Sequence, residues 1–187
     1  GVGRIHPQNG ETNWYSSPGD PYGIAIDPFG YVWVAFYGAS SIGRLDPNNG
    51  NWWNSGNLGW GGTRGVAVSV NHGENGQITE SRVYTAHSST GRISVLNAFT
   101  KEYIGAIDLG NGGHCPVGVA IDSTNHIWSV NQCTSTACKV DPDTWNVEFT
   151  KQVGSNPYTY SDMTGYALKT ITAPVGLYRT KIKGWNE

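Results

Sequence analysis

His114, Cys115, Cys133 and Cys138 are the side chains of this sequence whose types and spacing point most directly to covalent or metal chemistry. Three chemistries are open to them. A disulfide could close Cys133 to Cys138, or tie Cys115 to either one. A bridge across so short a loop gains about 2–3 kcal/mol from loop entropy. A Cys₃His set could hold zinc, although the C-x₄-C spacing is looser than the usual knuckle and adjacent His114 and Cys115 fit one tetrahedral centre awkwardly. Free thiols are the third reading. The Cys133–Cys138 disulfide is preferred, and it leaves Cys115 reactive or paired with another chain.

A second group of residues suits binding. Trp60 stands in the Gly-rich run GNLGWGG, and a Trp at a loop tip can stack on a sugar face. Trp52 and Trp53 are neighbours on a strand-like run, so one of them faces a packed layer. Tyr22, Tyr37, Trp60, Arg64, His87, His114 and Asn131 fall on connections gathered at one end of the repeat described below, and they are the candidate ligand-binding residues. Asp27, Asp46, Asp122 and Asp141 recur at turns, where bonding to backbone N–H accounts for them without chemistry. His6, His72 and His126 lie in turns and join no constellation. No Ser/His/Asp set has spacing above chance. SDMTG (161–165) offers oxygen ligands to Ca²⁺, but a turn with a capping Asp explains it better. Ca²⁺ or Mg²⁺ therefore has no clear site, and the cofactor is unknown.

The scaffold for these residues comes from repetition. GIAIDPFGYVWVAFYGASSIGRLDPNNG, residues 23–50, returns 95 positions later from Gly118 without a gap. Gly23 matches Gly118, Asp27 matches Asp122, Trp33 matches Trp128, Arg44 matches Lys139, and Asp46-Pro47 matches Asp141-Pro142. A looser copy lies between them, with Gly65, Tyr84 and Arg92 in the places of Gly23, Trp33 and Arg44. Its extra length falls in the Gly/Glu/Asn-rich piece 72–81. GRIHPQNGETNW near the N-terminus matches GRLDPNNGNWW at a displacement of 40. A period of about 40–50 residues with four short strands is that of a β-propeller blade. The sequence thus predicts an all-β fold of four-stranded antiparallel blades. A half-blade (1–20) is followed by blades at 21–62, 63–115 and 116–156, about three and a half in all. A β-rich tail (157–187), expected either to close the propeller or to start a following domain, has strands expected near 165–172 and 177–183. Closed rings use ~4–8 blades, so other chains or further blades are expected to complete this one.

The units PYGIAIDPFGYVWVAFYGASSIGRLDPNNG and PVGVAIDSTNHIWSVNQ…KVDPDTW resemble blades of the virginiamycin B lyase (streptogramin lyase) family and, more distantly, NHL-type propellers. The likeness covers residues 1–150 and is specific for blade type. It implies an enzyme that opens a cyclic ester by elimination with Mg²⁺. The site implied is on the top face, with a His at a P-H-G strand start and a Glu three residues after the strand-B Trp. Here the first position holds Tyr22, Arg64 and Val117, and the second holds Phe36, His87 and Asn131. Val, Phe and Arg supply no hard oxygen ligand for Mg²⁺. Elimination needs a positioned base, and of these residues His87 alone qualifies. The blades in view thus lack the lyase set. YTYSDMTGYALKTITAP looks like a segment that follows such blades in large secreted or surface-anchored bacterial proteins.

Bulk properties narrow the classes further. The 12 Lys and Arg against 14 Asp and Glu give a net charge of −2, without the basic stripe of a nucleic-acid binder. No apolar run approaches the ~20 residues of a membrane span. The chain begins at Gly1 rather than Met, as a processed or trimmed chain does. Low charge, abundant Asn and Thr, and cysteines point to an extracellular or cell-surface setting. The expected function is non-catalytic binding of protein or carbohydrate. The alternatives are a lyase-like enzyme completed by further blades and a structural subunit of a surface assembly.

Overall fold

Runs of Val, Ile and aromatic residues bounded by Asp, Asn and Gly turns set the strands. The computed structural model describes residues 1–159 and Met163. The strands expected at 165–172 and 177–183, and the SDMTG turn apart from Met163, lie outside the described residues.

β1 (Val2–Ile5) and β2 (Thr12–Tyr15) form a two-stranded sheet. Three four-stranded sheets follow, each an antiparallel meander in chain order. Blade 1 is β3 (Pro21–Ile26), β4 (Val32–Phe36), β5 (Ser41–Leu45) and β6 (Trp52–Asn54). Blade 2 is β7 (Thr63–His72), β8 (Ile78–His87), β9 (Arg92–Asn97) and β10 (Tyr103–Asp108). Blade 3 is β11 (Pro116–Ile121), β12 (Ile127–Asn131), β13 (Thr136–Val140) and β14 (Val147–Gln152). The strands of a blade are called A to D in order. Arg4 pairs with Asn13 as Arg44 pairs with Trp53, so β1 and β2 are strands C and D of an incomplete blade.

The three A strands stand side by side, with β7 packed against β3 and against β11. Gly23 permits the first of these approaches. A Cβ there would lie 2.1 Å from the Arg64 carbonyl oxygen, so the innermost backbones meet where only glycine fits.

The turns repeat as closely as the strands. In the C–D turns, His6, Asp46, Asn97 and Asp141 each donate a backbone N–H to the residue five positions on, at 2.8, 2.9, 2.9 and 3.0 Å. One residue of each turn has positive φ: Gly10 at 72°, Gly50 at 76°, Lys101 at 68° and Trp145 at 61°. In the A–B turn of blade 1, Asp27 Oδ1 accepts the N–H groups of Phe29 and Tyr31 while Oδ2 accepts Trp33 Nε1–H at 2.9 Å. Asp122 does the same for Thr124, His126 and Trp128, again at 2.9 Å to the indole. In blade 2 both partners differ. Ser69 stands in the Asp place and bonds Tyr84 in the Trp place. The recurring aspartates thus accept backbone N–H groups, as the sequence predicts, and Asp27 and Asp122 also hold an indole.

One repeat match needs correcting. Trp33 pairs with Arg44 and Trp128 with Lys139, but Tyr84 pairs with Val95. Arg92 instead faces His87 at the loop end of its ladder, three residues from the position that matches Arg44. Strand C of blade 2 carries a buried Val where the other blades carry a cation.

Apolar faces close the blades on one another. Trp33, Ala35 and Ile42 of blade 1 pack with Val66, Val68, Val83 and Leu96 of blade 2. Trp53 reaches this core edge-on to Trp33, while Trp52 packs on the opposite face with Phe36. Both tryptophans therefore serve packing. Tyr84, Ile93 and Ile107 of blade 2 pack with Val119, Ile121, Ile127 and Val140 of blade 3. The half-blade meets blade 1 through a smaller cluster of Val2, Val34, Phe36 and Leu45.

Candidate functional site

The start of strand A, the end of strand B and the B–C loop share one end of each blade. Pro21 pairs with Phe36, Thr63 with His87 and Pro116 with Asn131. Next to these pairs, Tyr22, Arg64 and Val117 open successive A strands around the axis. The Arg64 guanidinium carbon lies 5.5 Å from the Tyr22 ring centre, 5.2 Å from that of Tyr37 and 5.8 Å from that of Tyr158. The Tyr22 and Tyr37 rings are 5.7 Å apart. All three tyrosines are exposed, at 37%, 43% and 39%. Arg64 is half-buried, and its Nε is shielded from solvent without a hydrogen-bond partner. It belongs to none of the ion pairs among the described residues. The site is thus a guanidinium among open aromatic faces, with donor capacity that nothing described engages. A guanidinium in this state accepts a carboxylate or a hydroxyl-rich ligand, and Tyr rings supply flat contact area at low entropic cost.

Three of the expected site residues meet here: Tyr22, Tyr37 and Arg64. Tyr158 was not anticipated. The signal for it was the pair Pro157-Tyr158, which repeats Pro21-Tyr22. Thr159 and Met163 occupy the space beside Gly118, where an added Cβ would lie 2.1 Å from Thr159 Oγ1. This is the relation that Gly23 has to the next A strand, so Tyr158 stands where a further A strand would begin.

His87, Asn131 and Val117 are fully buried. His87 Nε2 lies 2.8 Å from Ser94 Oγ, with Nδ1 3.5 Å from Thr63 Oγ1. Burial lowers its pKa to about 4, so it is a neutral packed imidazole. Asn131 donates to Thr136 Oγ1 at 3.1 Å and to Cys138 Sγ at 3.2 Å. The strand-B end closes the blade and is enclosed by it.

The cysteines pair as Cys115–Cys133, with Cα atoms 5.3 Å apart, and not as Cys133–Cys138. Cys133 sits in the B–C loop beside the start of β11, where Gln132 N–H bonds the Cys115 carbonyl at 3.0 Å. Cys138 lies within β13 opposite Ser129, and its side chain points into the blade 2–blade 3 core as a buried free thiol. The expected pair therefore faces different ways, and no Cys₃His zinc set exists. His114 is exposed beside Gly91. Trp60 is pinned to blade 2, where the Arg92 guanidinium covers its ring at 4.4 Å and its indole N–H donates to Tyr103 Oη at 3.1 Å.

The opposite end of blade 3 holds a group that sequence reading missed. His126, Asp141 and Glu148 have ligand atoms within 4.8 Å of one another. They come from the A–B turn, the C–D turn and strand D, so no spacing announces them. His126 Nε2 lies 3.4 Å from Glu148, and the Lys139 ammonium lies 3.1 Å from it and already pairs with that carboxylate.

No family model matches the chain, and no curated protein matches its sequence. Solved structures match its shape. Virginiamycin B lyase from Staphylococcus aureus aligns at a TM-score of 0.64 and 17% identity, over 83% of this chain and 50% of that one. A streptogramin B lyase aligns at 0.64 and 16%, over 82% and 48%. The fold is that of β-propeller blades. A nidogen/laminin complex supplies a third match at a TM-score of 0.56 and 15% identity, covering 79% of this chain and 52% of that one. The chain spans about half the length of these matched chains. At this identity they bear on fold alone. They agree with the blade type read from the repeats.

Proposed function

We propose that this propeller segment is a non-catalytic, extracellular binding module whose ligand, a protein or a carbohydrate, docks at the axial mouth. The observation that carries this reading is Arg64, uncommitted to any described carboxylate, among the exposed rings of Tyr22, Tyr37 and Tyr158. Arg64 would hold an acidic or hydroxyl-rich group while the rings pack its flanks. His114 stands on an exposed connection at the same end. The buried His87 and Asn131 would act as support for that end and make no ligand contact. The Cys115–Cys133 bridge supports an oxidising, extracytoplasmic setting.

No catalytic role is proposed for these blades. A lyase-type activity would have to be completed by blades outside residues 1–187.

The test is a calorimetric screen of the purified chain against acidic and neutral oligosaccharides and extracellular matrix proteins. Arg64→Gln or Tyr22→Ala is expected to weaken the ligand found by about tenfold or more, with the melting temperature unchanged. A ligand whose affinity ignores both substitutions would place binding elsewhere.

A further inference from the structure

Blade 3 departs from its own repeats at one place, where the A–B turn, the C–D turn and strand D meet. Asp122 Oδ1 accepts His126 N–H as Asp27 Oδ1 accepts Tyr31 N–H, so His126 stands in the place of Tyr31. Asp141 stands in the place of Asp46 and Asn97, since each donates its N–H to the residue five positions on. Strand D adds the third side chain through a bulge. Val147 pairs with Val140 and Phe149 with Lys139, which leaves Glu148 between them as the extra residue. In blade 2 the same bulge carries Ile104, and in blade 1 Trp52 and Trp53 pair in succession with no extra residue. Blade 1 uses the place to stack Arg44 on Tyr31 at 4.1 Å. Among the described residues, only blade 3 combines an imidazole with two carboxylates there. A bulge re-aims a side chain, and bulges are enriched beside functional sites.

The imidazole is oriented for a cation. Thr124 Oγ1 donates to Asp122 Oδ1 at 2.8 Å and lies 2.7 Å from His126 Nδ1. A hydroxyl has one proton and a carboxylate can only accept it, so Nδ1 is the ring atom that carries N–H. In the neutral ring the lone pair is then on Nε2, which faces Glu148 Oε2 at 3.4 Å. A lone pair and a carboxylate at that distance repel unless positive charge joins them. A hydroxyl and a carboxylate behind the ring are the outer partners usual for a metal-ligating histidine. On the other side, Asp141 Oδ1 accepts the N–H groups of Asp143 and Thr144 and the Thr144 hydroxyl. These bonds fix the carboxylate and all fall on Oδ1, which leaves Oδ2 for an ion. Two ligands in a tetrahedral shell about 2.1 Å from a metal stand about 3.4 Å apart, the separation that Nε2 and Glu148 Oε2 already have. The ligand atoms of all three residues lie within 4.8 Å of one another, so small side-chain rotations close the set.

Lys139 is the competing cation, through its pair with Glu148 at 3.1 Å. Partly exposed pairs of this kind contribute little, and a flexible stem lets the ammonium turn to solvent. Arg82 of blade 2 reaches the same turn, but it pairs with Glu80 and donates to the Pro142 carbonyl. Asp122, Asp141 and Glu148 therefore hold more negative charge than Lys139 balances. We propose that His126 Nε2, Asp141 and Glu148 bind a divalent transition cation of the Zn²⁺ class, with Lys139 displaced and water completing the shell. The imidazole selects against Ca²⁺ and Mg²⁺, which take oxygen ligands. Three protein ligands leave one position of the ion open, as in reactive rather than closed structural sites. The site lies at the end of blade 3 away from Arg64 and does not depend on binding there.

The probe is Zn²⁺ alone, titrated calorimetrically into the intact 187-residue protein after chelator treatment and desalting. One ion per chain is expected, with a melting temperature that rises with Zn²⁺ concentration. Thr124→Val leaves all three ligands in place and is expected to weaken binding by about tenfold. His126→Gln and Glu148→Gln are each expected to weaken it further. Lys139→Gln removes the competing ammonium and is expected to tighten binding, a gain that a misfolded variant would not show. His6→Gln, on the half-blade, is expected to bind Zn²⁺ as the parent does. If His126→Gln binds Zn²⁺ as tightly as the parent, the ion is adventitious and the proposal is overturned. A titration without saturable heat overturns it as well. Displacement of Zn²⁺ by an equal concentration of Ca²⁺ would overturn the assigned class of ion.

Discussion

Asp27 and Asp122 hold the same place in their blades and share three hydrogen bonds, to which Asp122 adds one from the Thr124 hydroxyl, and their acidities move in opposite directions. Desolvation dominates at Asp27 and raises its pKa despite the bonds from Trp33, Phe29 and Tyr31. At Asp122 burial acts in the same direction but is outweighed by bonds from Trp128, Thr124 and His126, and the pKa falls to about 2. The stability Asp122 contributes is therefore present above the ordinary value of 3.8 and is lost as pH falls through about 2. That of Asp27 is present below 3.8 and is lost as pH rises through its raised value. Urea unfolding of Asp122→Asn is expected to show a penalty that shrinks below pH 4, and Asp27→Asn one that grows there. Parallel pH profiles for the two variants would refute the difference in environment. His87 adds a separate sensitivity. Its pKa falls from 6.5 to about 4, so the unfolded chain binds its proton first and stability drops on acidification across that window. The loss is on the order of 3 kcal/mol below it. His87→Gln, which can keep a bond to Ser94, is expected to flatten the unfolding profile between pH 6.5 and 4.

At the scale of elements, glycine serves two unrelated purposes, and the two can be separated. Gly50 is needed for its φ of +76°, since a Cβ there meets nothing closer than Tyr15 at 3.7 Å. Gly50→Ala is expected to cost about 1 kcal/mol from backbone strain. Gly23 is needed for space, and Gly23→Ala would force β3 away from β7 at a cost of roughly 3 kcal/mol or more. Thermal unfolding of the pair checks the order. The B–C loop offers a constructive test. Asp20 and Gly38 are the blade 1 equivalents of Cys115 and Cys133, and Tyr37 N–H bonds the Asp20 carbonyl at 3.2 Å as Gln132 bonds Cys115. Asp20→Cys with Gly38→Cys is expected to form a second disulfide, detected as a mass loss of two hydrogens without reductant, and to stabilise blade 1 by about 3 kcal/mol.

Much of this level was legible in the sequence, and the omissions have physical causes. Asp27, Trp33 and their copies were readable because hydrogen bonds within one turn act over six residues, which repetition preserves. The cysteine pairing was not, because it depends on which loop end approaches the start of strand A and which residue of β13 faces inward. Arg92 was misplaced because the ladder is set by Tyr84 opposite Val95, while the eye aligns charges. Tyr158 was missed because a two-residue match is weak until Gly118 shows a neighbour beside it. The His126 group draws on three elements that only the folded blade assembles.

Considered whole, the described residues set three full blades with their A strands about one axis, and the Arg64 site lies at the end of that axis. One consequence of the Cys115–Cys133 bridge appears only under load. When blade 3 is pulled open, the 18-residue interval between the two cysteines stays hidden from the force. The released contour is shortened by about 60 Å at ~3.4 Å per residue. Single-molecule extension is expected to lengthen by that amount once a reductant is added, and equal lengths in both conditions would contradict it. Reduction would then act as a mechanical fuse. It would let the outermost full blade yield further and absorb more work before strain reaches the tyrosine-lined mouth.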